Sequence, residues 1–172
     1  MGGNTRSVFS GVNDVMYGKQ SPAQERLLSS LPYILPMVQA LPLGGFLYLQ
    51  FPFLARLVSP LFPLFPILEG NFAISLLVFF GLLFGVVRNT SFSRFIRFNT
   101  MQALLMGIGL TLLQIILGAL GPLLGGITVQ TMASGLFLLT FGLAIYAFIQ
   151  IWQGKYTDIP VLSEAANSQV IY

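Results

Sequence analysis

Residues 98–154, FNTMQALLMGIGLTLLQIILGALGPLLGGITVQTMASGLFLLTFGLAIYAFIQIWQG, form a run of 57 residues without a charged side chain. As one helix this run would be about 86 Å long, nearly three times the ~30 Å hydrocarbon core of a bilayer. The GPLLGG run at residues 121–126 lies near its middle, and clustered glycine and proline favour a turn. The stretch therefore predicts a hairpin of two membrane-spanning helices, over about residues 99–120 and 127–152.

The composition of the whole chain is also typical of a membrane protein. Of the 172 residues, 55% are hydrophobic and 8% are charged, whereas soluble domains average about 25% charged residues. The chain has no Cys and no His, which removes thiolate chemistry and the commonest general base and metal ligand. We therefore expect no enzyme activity, no cofactor and no metal site. The net charge of +3 is too diluted by apolar sequence to indicate nucleic-acid binding.

Two more apolar stretches precede the hairpin. Residues 27–43, LLSSLPYILPMVQALPL, are long enough for a short span, which Pro32 and Pro36 should kink. An LPLGG run is expected to break this helix at its end. Residues 70–87 are almost uniformly large and apolar, so they are predicted to form the second of four spans.

The segment between these two spans is harder to interpret. Residues 46–68, FLYLQFPFLARLVSPLFPLFPIL, contain four prolines and Arg56. Four prolines remove too many hydrogen bonds for a straight span, and an arginine at the bilayer centre costs at least about 2.5 kcal/mol. We interpret residues 46–58 as an amphipathic helix in the membrane interface, where aromatic side chains are favoured, followed by a stiff connector. A re-entrant segment is the less favoured alternative.

These spans predict an all-α integral membrane protein with four transmembrane helices and an interfacial amphipathic helix. Residues 1–24 are expected to form a flexible polar tail without the apolar region of a secretory signal, and Ser21-Pro22 is typical of a helix start. Residues 25–156 form the membrane domain. Residues 157–172 are expected to form a short polar C-terminal tail.

The basic residues predict how this domain is oriented. Four spans place both termini and the loop after the second span on one side of the membrane. Seven of the eight basic residues fall on that side and Arg56 falls on the other: Arg6, Lys19, Arg26, Arg88, Arg94, Arg97 and Lys155. By the positive-inside rule, both termini face the cytosol, or the stroma of a plastid. Models with three or five spans break this pattern.

The predicted spans contain uncharged polar residues, whereas spans two to four have no ionisable residue near their middle, which argues against a proton-coupled transporter. Helical spacing places Thr111 with Gln114 on one face, and Thr131 with Tyr146 on another, each beside glycines. The candidate seam residues are Gln39, Asn99, Gln102, Thr111, Gln114, Thr131 and Tyr146. Helix packing is the favoured interpretation, since small residues allow close approach and an interhelical hydrogen bond contributes about 0.6 kcal/mol. The alternative is contact with a bound or translocating polypeptide.

Three arginines, Arg88, Arg94 and Arg97, lie in the polar joint between the second and third spans. We expect them to set the topology and to contact lipid head groups, at about 1 kcal/mol for each basic residue. Docking of an acidic partner is the alternative.

Five stretches then suggest a family: ERLLSSLPYILPMVQALPLG (25–44), FLYLQFPFL (46–54), VVRN (86–89), FIRFNTMQALLM (95–106) and YTDIPVLSEAA (156–166). Over about residues 25–166 the chain resembles the Tic-twenty (Tic20) family. In plants the member of this family is a core membrane subunit of the translocon at the inner chloroplast envelope. The family also has cyanobacterial and plastid-encoded relatives. Phe98-Asn99 with Gln102-Ala103 is the most distinctive match. The resemblance implies a four-helix protein with termini toward the stroma or cytosol, associated with preprotein import and a proposed protein-conducting channel. It supplies no catalytic motif.

The expected function is therefore that of a membrane subunit of a protein-translocation or membrane-protein assembly complex, acting by helix packing and polypeptide contact. A structural subunit of a larger membrane complex and, more weakly, an oligomeric small-solute channel remain alternatives. Expected partners are membrane lipids, other membrane subunits or further copies of the chain, and a translocating polypeptide. Expected locations are a cyanobacterial plasma or thylakoid membrane or a plastid inner envelope. The short N-terminal region favours a cyanobacterial or plastid-encoded chain.

Overall fold

The computed structural model describes residues 23–157, 159 and 162–170, and the regular structure of these residues is helical throughout. Three of the helices are long and apolar enough to cross a membrane: α1 (Ala23–Gln50), α5 (Arg94–Leu124) and α6 (Gly126–Trp152). The expected helix start at Ser21-Pro22 and nearly all of the expected N-terminal tail lie outside the described residues.

Helix α1 stays helical through its prolines. Two 3₁₀ turns, Leu31–Tyr33 and Leu41–Gly44, interrupt its α-helical hydrogen bonding, and each has a proline in its first two positions. Proline lacks an N–H, and the first positions of a helical turn need none. The prolines therefore tighten the helix locally, and the expected break after residue 43 is wrong because the chain continues in helix to Gln50.

Residues 51–68 form short helical pieces. These are α2 (Pro52–Val58), a 3₁₀ turn (Ser59–Leu61) and α3 (Leu64–Leu68). Phe51 leaves the helical conformation, with φ −128° and ψ 79°. The single amphipathic helix expected over residues 46–58 is therefore divided, and its first residues belong to α1.

Helix α3 packs against the middle of α1. Leu64 and Phe65 contact the cluster that contains Val38 and Leu41 of α1. The chain has left α1 at Gln50, so it must double back along α1 to make this contact. The proline-rich segment is thus a helical return path rather than a stiff connector.

The predicted second span is a short helix, α4 (Phe72–Val87), whose last five residues form a π turn. Asn71 caps its start, where the Asn71 side chain accepts a hydrogen bond from the Ala73 N–H at 2.9 Å. At 1.5 Å per residue α4 is about 24 Å long, less than the ~30 Å core of a bilayer. The structure thus shows three helices of spanning length and a shorter apolar one, rather than four full spans.

Helices α5 and α6 form the predicted hairpin. Pro122 stays inside the last turn of α5, and the reversal falls on Gly125, whose φ of +80° is accessible to glycine without strain. Ser93 caps the start of α5 by accepting a hydrogen bond from the Ile96 N–H at 3.4 Å. The GPLLGG run was therefore the correct signal, although α5 extends four residues beyond the expected end.

Helices α1, α5 and α6 pack as a bundle, and α4 lies at its edge. One core cluster joins all three bundle helices: Tyr33 of α1, Phe95, Ala103 and Met106 of α5, and Ala144, Ala147 and Ile151 of α6. The small side chains on α6 allow close approach of the helices. Elsewhere large apolar side chains point outward, for example Leu77, Leu123 and Ile127 at 72–83% exposure, as lipid-facing surfaces require.

The C-terminal segment packs onto the bundle as helix α7 (Leu162–Gln169). Ala166 and Val170 are buried against Phe98 and Met101 near the start of α5. The described part of the predicted polar C-terminal tail, residues 157–172, thus contains a helix that packs on the bundle. The starts of α1 and α5, the end of α6 and α7 all meet at one end of the bundle, which we call the terminal end.

Candidate functional site

Four polar side chains, Tyr33, Asn99, Gln102 and Thr157, are completely buried at the terminal end; we call them the terminal polar cluster. The Tyr33 hydroxyl donates to Gln102 Oε1 at 3.0 Å, and the Thr157 hydroxyl donates to Asn99 Oδ1 at 2.9 Å. Asn99 Nδ2 in turn donates to the Phe95 carbonyl at 2.8 Å. These bonds join α1, α5 and the segment that leads to α7.

Some buried polar atoms beside this cluster lack a hydrogen-bond partner among the described residues. They are the hydroxyls of Ser29 and Thr100 and the Nε2 atom of Gln102. An unsatisfied buried group costs about 1–3 kcal/mol in folding free energy. The hydrogen bonds that the terminal polar cluster does form spare Tyr33, Asn99 and Thr157 this cost. Because Asn99 and Gln102 are wholly enclosed, their place in this structure is in packing and not on a contact surface.

The three arginines of the joint separate into inward and outward groups. Arg97 is 5% exposed, and its Nε donates to the Val87 carbonyl at 2.9 Å, so it fastens the end of α4 to the start of α5. It is therefore not the surface contact expected from the sequence. Arg88 and Arg94 are exposed.

Charged groups from both ends of the chain meet at the terminal end. Burial raises the pKa of the Tyr156 hydroxyl, the nearby Arg94 lowers it and Glu25 raises it. Arg26 donates to the Trp152 carbonyl at 3.0 Å, where a cation complements the negative end of a helix. The end of α6 is thus tied to the start of α1.

A second polar group, the mid-bundle seam, consists of Gln39, Thr111 and Gln114. Gln39 Nε2 donates to the Thr111 hydroxyl at 2.6 Å, and Gln114 Nε2 donates to the Gln39 carbonyl at 3.2 Å. The predicted face of α5 therefore does meet Gln39 of α1. A Cβ placed on Gly107 would lie 3.4 Å from Gln39 Oε1, so this position has little room for a side chain larger than a methyl group.

The two candidate residues on α6 do not join this seam. Thr131 is exposed, and its hydroxyl donates to the Ile127 carbonyl one turn earlier. Tyr146 is 38% exposed, and its hydroxyl accepts from Gln150. Both lie on the outer side of the bundle. The two residues therefore share one face of α6, as predicted, but that face points away from the bundle.

A cavity of about 450 Å³ lies between the mid-bundle seam and α4. Its walls are mostly apolar, with Gln39, Thr111 and Ser75 as uncharged polar groups and Glu69 as a carboxylate. The lining residues are Leu35 and Gln39 of α1, Glu69, Phe72, Ser75, Leu76 and Phe79 on or beside α4, and Ala103, Leu104, Gly107, Ile108, Thr111 and Leu112 of α5. This size is within the usual range for ligand pockets.

Glu69 is the functional candidate that the sequence did not reveal. It precedes α4 and lines the cavity with Thr111 and Leu112, and Thr111 lies about 21 Å along α5 from Arg97. The return path of residues 51–68 brings it to this depth, and helical periodicity could not predict that path. One signal existed, because Glu69 is the sole carboxylate in residues 27–157.

Helix α4 is loosely packed beside this cavity. No residue of Phe72–Leu82 is buried, and a second, apolar cavity of about 330 Å³ lies between α4 and α1. A Cβ added at Gly81 or Gly85 would meet no atom within 4 Å, so this GxxxG pair faces away from the rest of the described chain. The closest packing of α4 on α5 is at its π turn, and Phe79 and Leu82 before that turn contact the core cluster around Phe98 and Met101.

The chemistry of these groups is hydrogen bonding and charge pairing. Within the described residues, no three His, Cys, Asp or Glu side chains come together as metal ligands. The mid-bundle seam, Glu69 and the cavity between them provide a surface for an apolar ligand with a few polar contacts.

Comparison with known proteins identifies the family. A family model described as "Chloroplast import apparatus Tic20-like" matches residues 13–166. The chain is 38% identical over 149 residues to a Tic20 family protein of Synechocystis sp., an alignment that covers 86% of this chain and 93% of the relative. It is 37% identical over 154 residues to Protein TIC 20-II, chloroplastic, of Arabidopsis thaliana, covering 87% and 74%, and 31% identical over 156 residues to the Tic20 family protein Ycf60 of Porphyra purpurea, covering 84% and 75%. The chain therefore belongs to the Tic20 family.

Proposed function

We propose that this protein is a membrane subunit of a protein-translocation or membrane-protein assembly complex and that it contacts polypeptide at the cavity between α1, α4 and α5. The matching family model is described as "Chloroplast import apparatus Tic20-like". One relative is named as chloroplastic and another comes from Synechocystis. The proposal extends the import role to this chain.

The observation that carries the proposal is the loose packing of α4. Its first three turns contain no buried residue, and a cavity of about 450 Å³ separates them from the mid-bundle seam. Apolar walls with a few hydrogen-bonding groups suit an apolar helix laid into a groove. Because α4 makes few close contacts with the bundle, it can move outward at low cost to admit one.

We also propose the setting in which this subunit acts. The membrane is a cyanobacterial plasma or thylakoid membrane or a plastid inner envelope, with the terminal end on the cytosolic or stromal side. The basic residues at that end, including Arg88 and Arg94, support this orientation. Its partners are membrane lipids, other membrane subunits or further copies of the chain, and a translocating polypeptide.

A structural subunit without its own polypeptide path is the second candidate. The outward-facing Gly81 and Gly85 favour it, because an added Cβ at either position meets no atom within 4 Å. Glycines spaced four residues apart on a membrane helix allow close approach of another helix. In this case α4 would be covered by a neighbouring subunit.

Site-specific photocrosslinking distinguishes these candidates. A photoreactive amino acid replaces Leu112, which lines the cavity, or Ile145 on α6 as the matched control. These side chains are 56% and 52% exposed, so general accessibility is the same at both. Intact membranes are illuminated while a preprotein is held part-way through translocation.

We expect the preprotein to be captured from Leu112 at least about five times more often than from Ile145. Equal capture from both positions, or capture of one constant neighbouring subunit from Leu112, would contradict the translocation proposal. The second of these results would support the structural alternative.

A further inference from the structure

We propose that Glu69 makes the cavity selective for apolar polypeptide segments that carry an arginine or lysine. The positive side chain of such a segment pairs with the Glu69 carboxylate, and its apolar residues fill the space between α4 and α5. This inference rests on the proposed function and adds a substrate class to it.

The first support is the charge of the cavity. Glu69 is the one charged residue among the thirteen residues that line it, and no basic side chain of the described chain is among them. Apolar neighbours such as Phe72 and Leu76 lower the local dielectric, so a carboxylate there gains much from an opposite charge. The Glu69 carboxylate can therefore pair with a cation, and no basic residue is among those that line the cavity.

The second support is depth. Glu69 lines the same cavity as Thr111, and Thr111 lies about 21 Å along α5 from Arg97, about two-thirds of the thickness of a ~30 Å hydrocarbon core. A charged residue inside an apolar segment is costly at this depth, at about 2.5–3.5 kcal/mol by insertion scales. A carboxylate at the same level offsets much of that cost, and the mid-bundle seam offers additional hydrogen bonds from Gln39 and Thr111.

The third support is the composition of the expected cargo. Plastid transit peptides are amphipathic, rich in arginine and serine, and poor in acidic residues. Their charge is therefore complementary to a cavity with one carboxylate and no basic residue. Charge complementarity of this kind contributes mainly to specificity. Glu69 should therefore favour basic segments over uncharged ones, and should not raise the affinity of the cavity for every segment.

The fourth support is the wall that faces α5. Phe72, Leu76 and Phe79 all line the cavity, at spacings of four and three residues that keep them on one face of α4. The opposite face of α4 points outward, with Leu77 at 72% exposure. No residue of Phe72–Leu82 is buried, so outward displacement of α4 would widen the cavity and break few contacts, chiefly those of Phe79 and Leu82 with the core cluster around Phe98.

The test uses the full-length protein in its native membrane with the photoreactive residue at Leu112. Two reporter preproteins are compared, identical except for one arginine or one glutamine at the centre of an apolar segment. Each is presented to the unmodified Glu69 protein, to Glu69→Gln and to the control variant Glu164→Gln. Glu164 is an exposed carboxylate on α7, so its loss changes the net charge equally.

We expect capture of the arginine reporter to fall about tenfold in Glu69→Gln and to stay unchanged in Glu164→Gln, as for loss of one partner of a charge pair. The glutamine reporter should be captured weakly and equally by all three proteins. A Glu69→Arg variant should restore capture when the reporter carries glutamate in place of arginine, which shows that the altered protein is folded.

Equal capture of both reporters, with no effect of Glu69→Gln, would overturn the charge selectivity and leave the proposed function standing. Capture of membrane lipid alone from Leu112 would overturn both, since the cavity would then hold no polypeptide. Failure of the charge-reversed pair together with reduced capture of both reporters by Glu69→Gln would assign Glu69 a structural role instead.

Discussion

At the scale of single residues, this protein places its few polar groups where helices meet. Tyr33 and Gln102 join α1 to α5 at the terminal end, and Gln39 and Thr111 join the same helices near their middle. The hydrocarbon core of a membrane offers few alternative hydrogen-bond partners, which favours such bonds between helices. Two bonds at different depths fix the register of α1 against α5 in a way that apolar contacts alone would not.

The terminal polar cluster predicts the effect of Tyr33→Phe. This change leaves Gln102 Oε1 without its donor in a place where Gln102 Nε2 also lacks a partner, so we expect a loss of about 1–2 kcal/mol in stability. Tyr146→Phe, at a 38% exposed position, is the control and should cost less than half as much. Thermal unfolding of the purified protein in detergent measures both losses of stability. Equal losses for Tyr33→Phe and Tyr146→Phe would show that the buried Tyr33–Gln102 hydrogen bond contributes no more than an exposed one.

The mid-bundle seam predicts a different result for two glycines of α5. Gly107→Val places atoms against the Gln39 side chain, because even a Cβ at this position lies 3.4 Å from Gln39 Oε1. The Gln39–Thr111 bond should break, and the melting temperature should fall by about 3–6 °C. Gly118→Val is the control, since a Cβ there meets nothing within 4 Å. If both variants melt at the same temperature, the seam does not hold the helices together.

At the scale of helices and segments, α4 differs from the other apolar helices. Its π turn packs on α5 and is fastened by Arg97, whereas Phe72–Leu82 has no buried residue. Local openings occur where buried apolar contacts are few. The helix is therefore expected to move about its π turn, a helical irregularity that is frequent at functional sites.

Hydrogen exchange should show this difference directly. In lipid nanodiscs we expect amides of Phe72–Leu82 to exchange at least about tenfold faster than those of residues 101–110 in α5, six of which are buried. Arg97→Gln should extend fast exchange into the π turn, since the bond to the Val87 carbonyl weakens. Slow exchange over Phe72–Leu82, equal to that of α5, would mean that α4 is a fixed wall and cannot admit a polypeptide.

The same elements show what the sequence could and could not predict. The hairpin of α5 and α6 followed from one long uncharged run and its glycine–proline turn, which are local properties. The extension of α1 did not, because Pro42 could begin a 3₁₀ turn as readily as end a helix. The packing of α7 and the placement of Glu69 both depend on contacts distant in sequence, and apolar periodicity carries no information about those.

The candidate site was predictable to a similar degree. Helical spacing brought Thr111 and Gln114 to one face, and the structure places Gln39 against that face. The same reasoning could not tell which way a face points, so Thr131 and Tyr146 were grouped with them although they lie outside the bundle. In a membrane protein both the inner and the outer surface are apolar, which removes the signal that orients helices in soluble domains.

At the scale of the whole molecule, the arrangement of helix ends defines two sides. The starts of α1 and α5, the end of α6 and helix α7 meet at the terminal end, with Arg26, Arg94 and Lys155 among them. Helix α1 is about 42 Å long, more than enough to cross the ~30 Å core and deliver α2 to the other side. We predict that the short α4 and the return path over residues 51–68 together complete a second crossing.

This arrangement predicts which positions are accessible from each side of the membrane. The chain has no cysteine, so each of three serine-to-cysteine variants contains a single thiol. The variants are Ser59→Cys, Ser91→Cys and Ser168→Cys. Each change is nearly isosteric and lies at an exposed position. A membrane-impermeant maleimide added to sealed vesicles should label Ser91→Cys and Ser168→Cys from the side that the positive-inside rule makes cytosolic or stromal, and Ser59→Cys from the opposite side. Labelling of all three from one side would mean that α1 does not cross the membrane and that Ser59 lies on the same side as the terminal end. Opposite labelling of Ser91→Cys and Ser168→Cys would contradict the pairing of α5 with α6 as a complete hairpin, because both thiols flank that hairpin and an even number of crossings must return the chain to the side where it began.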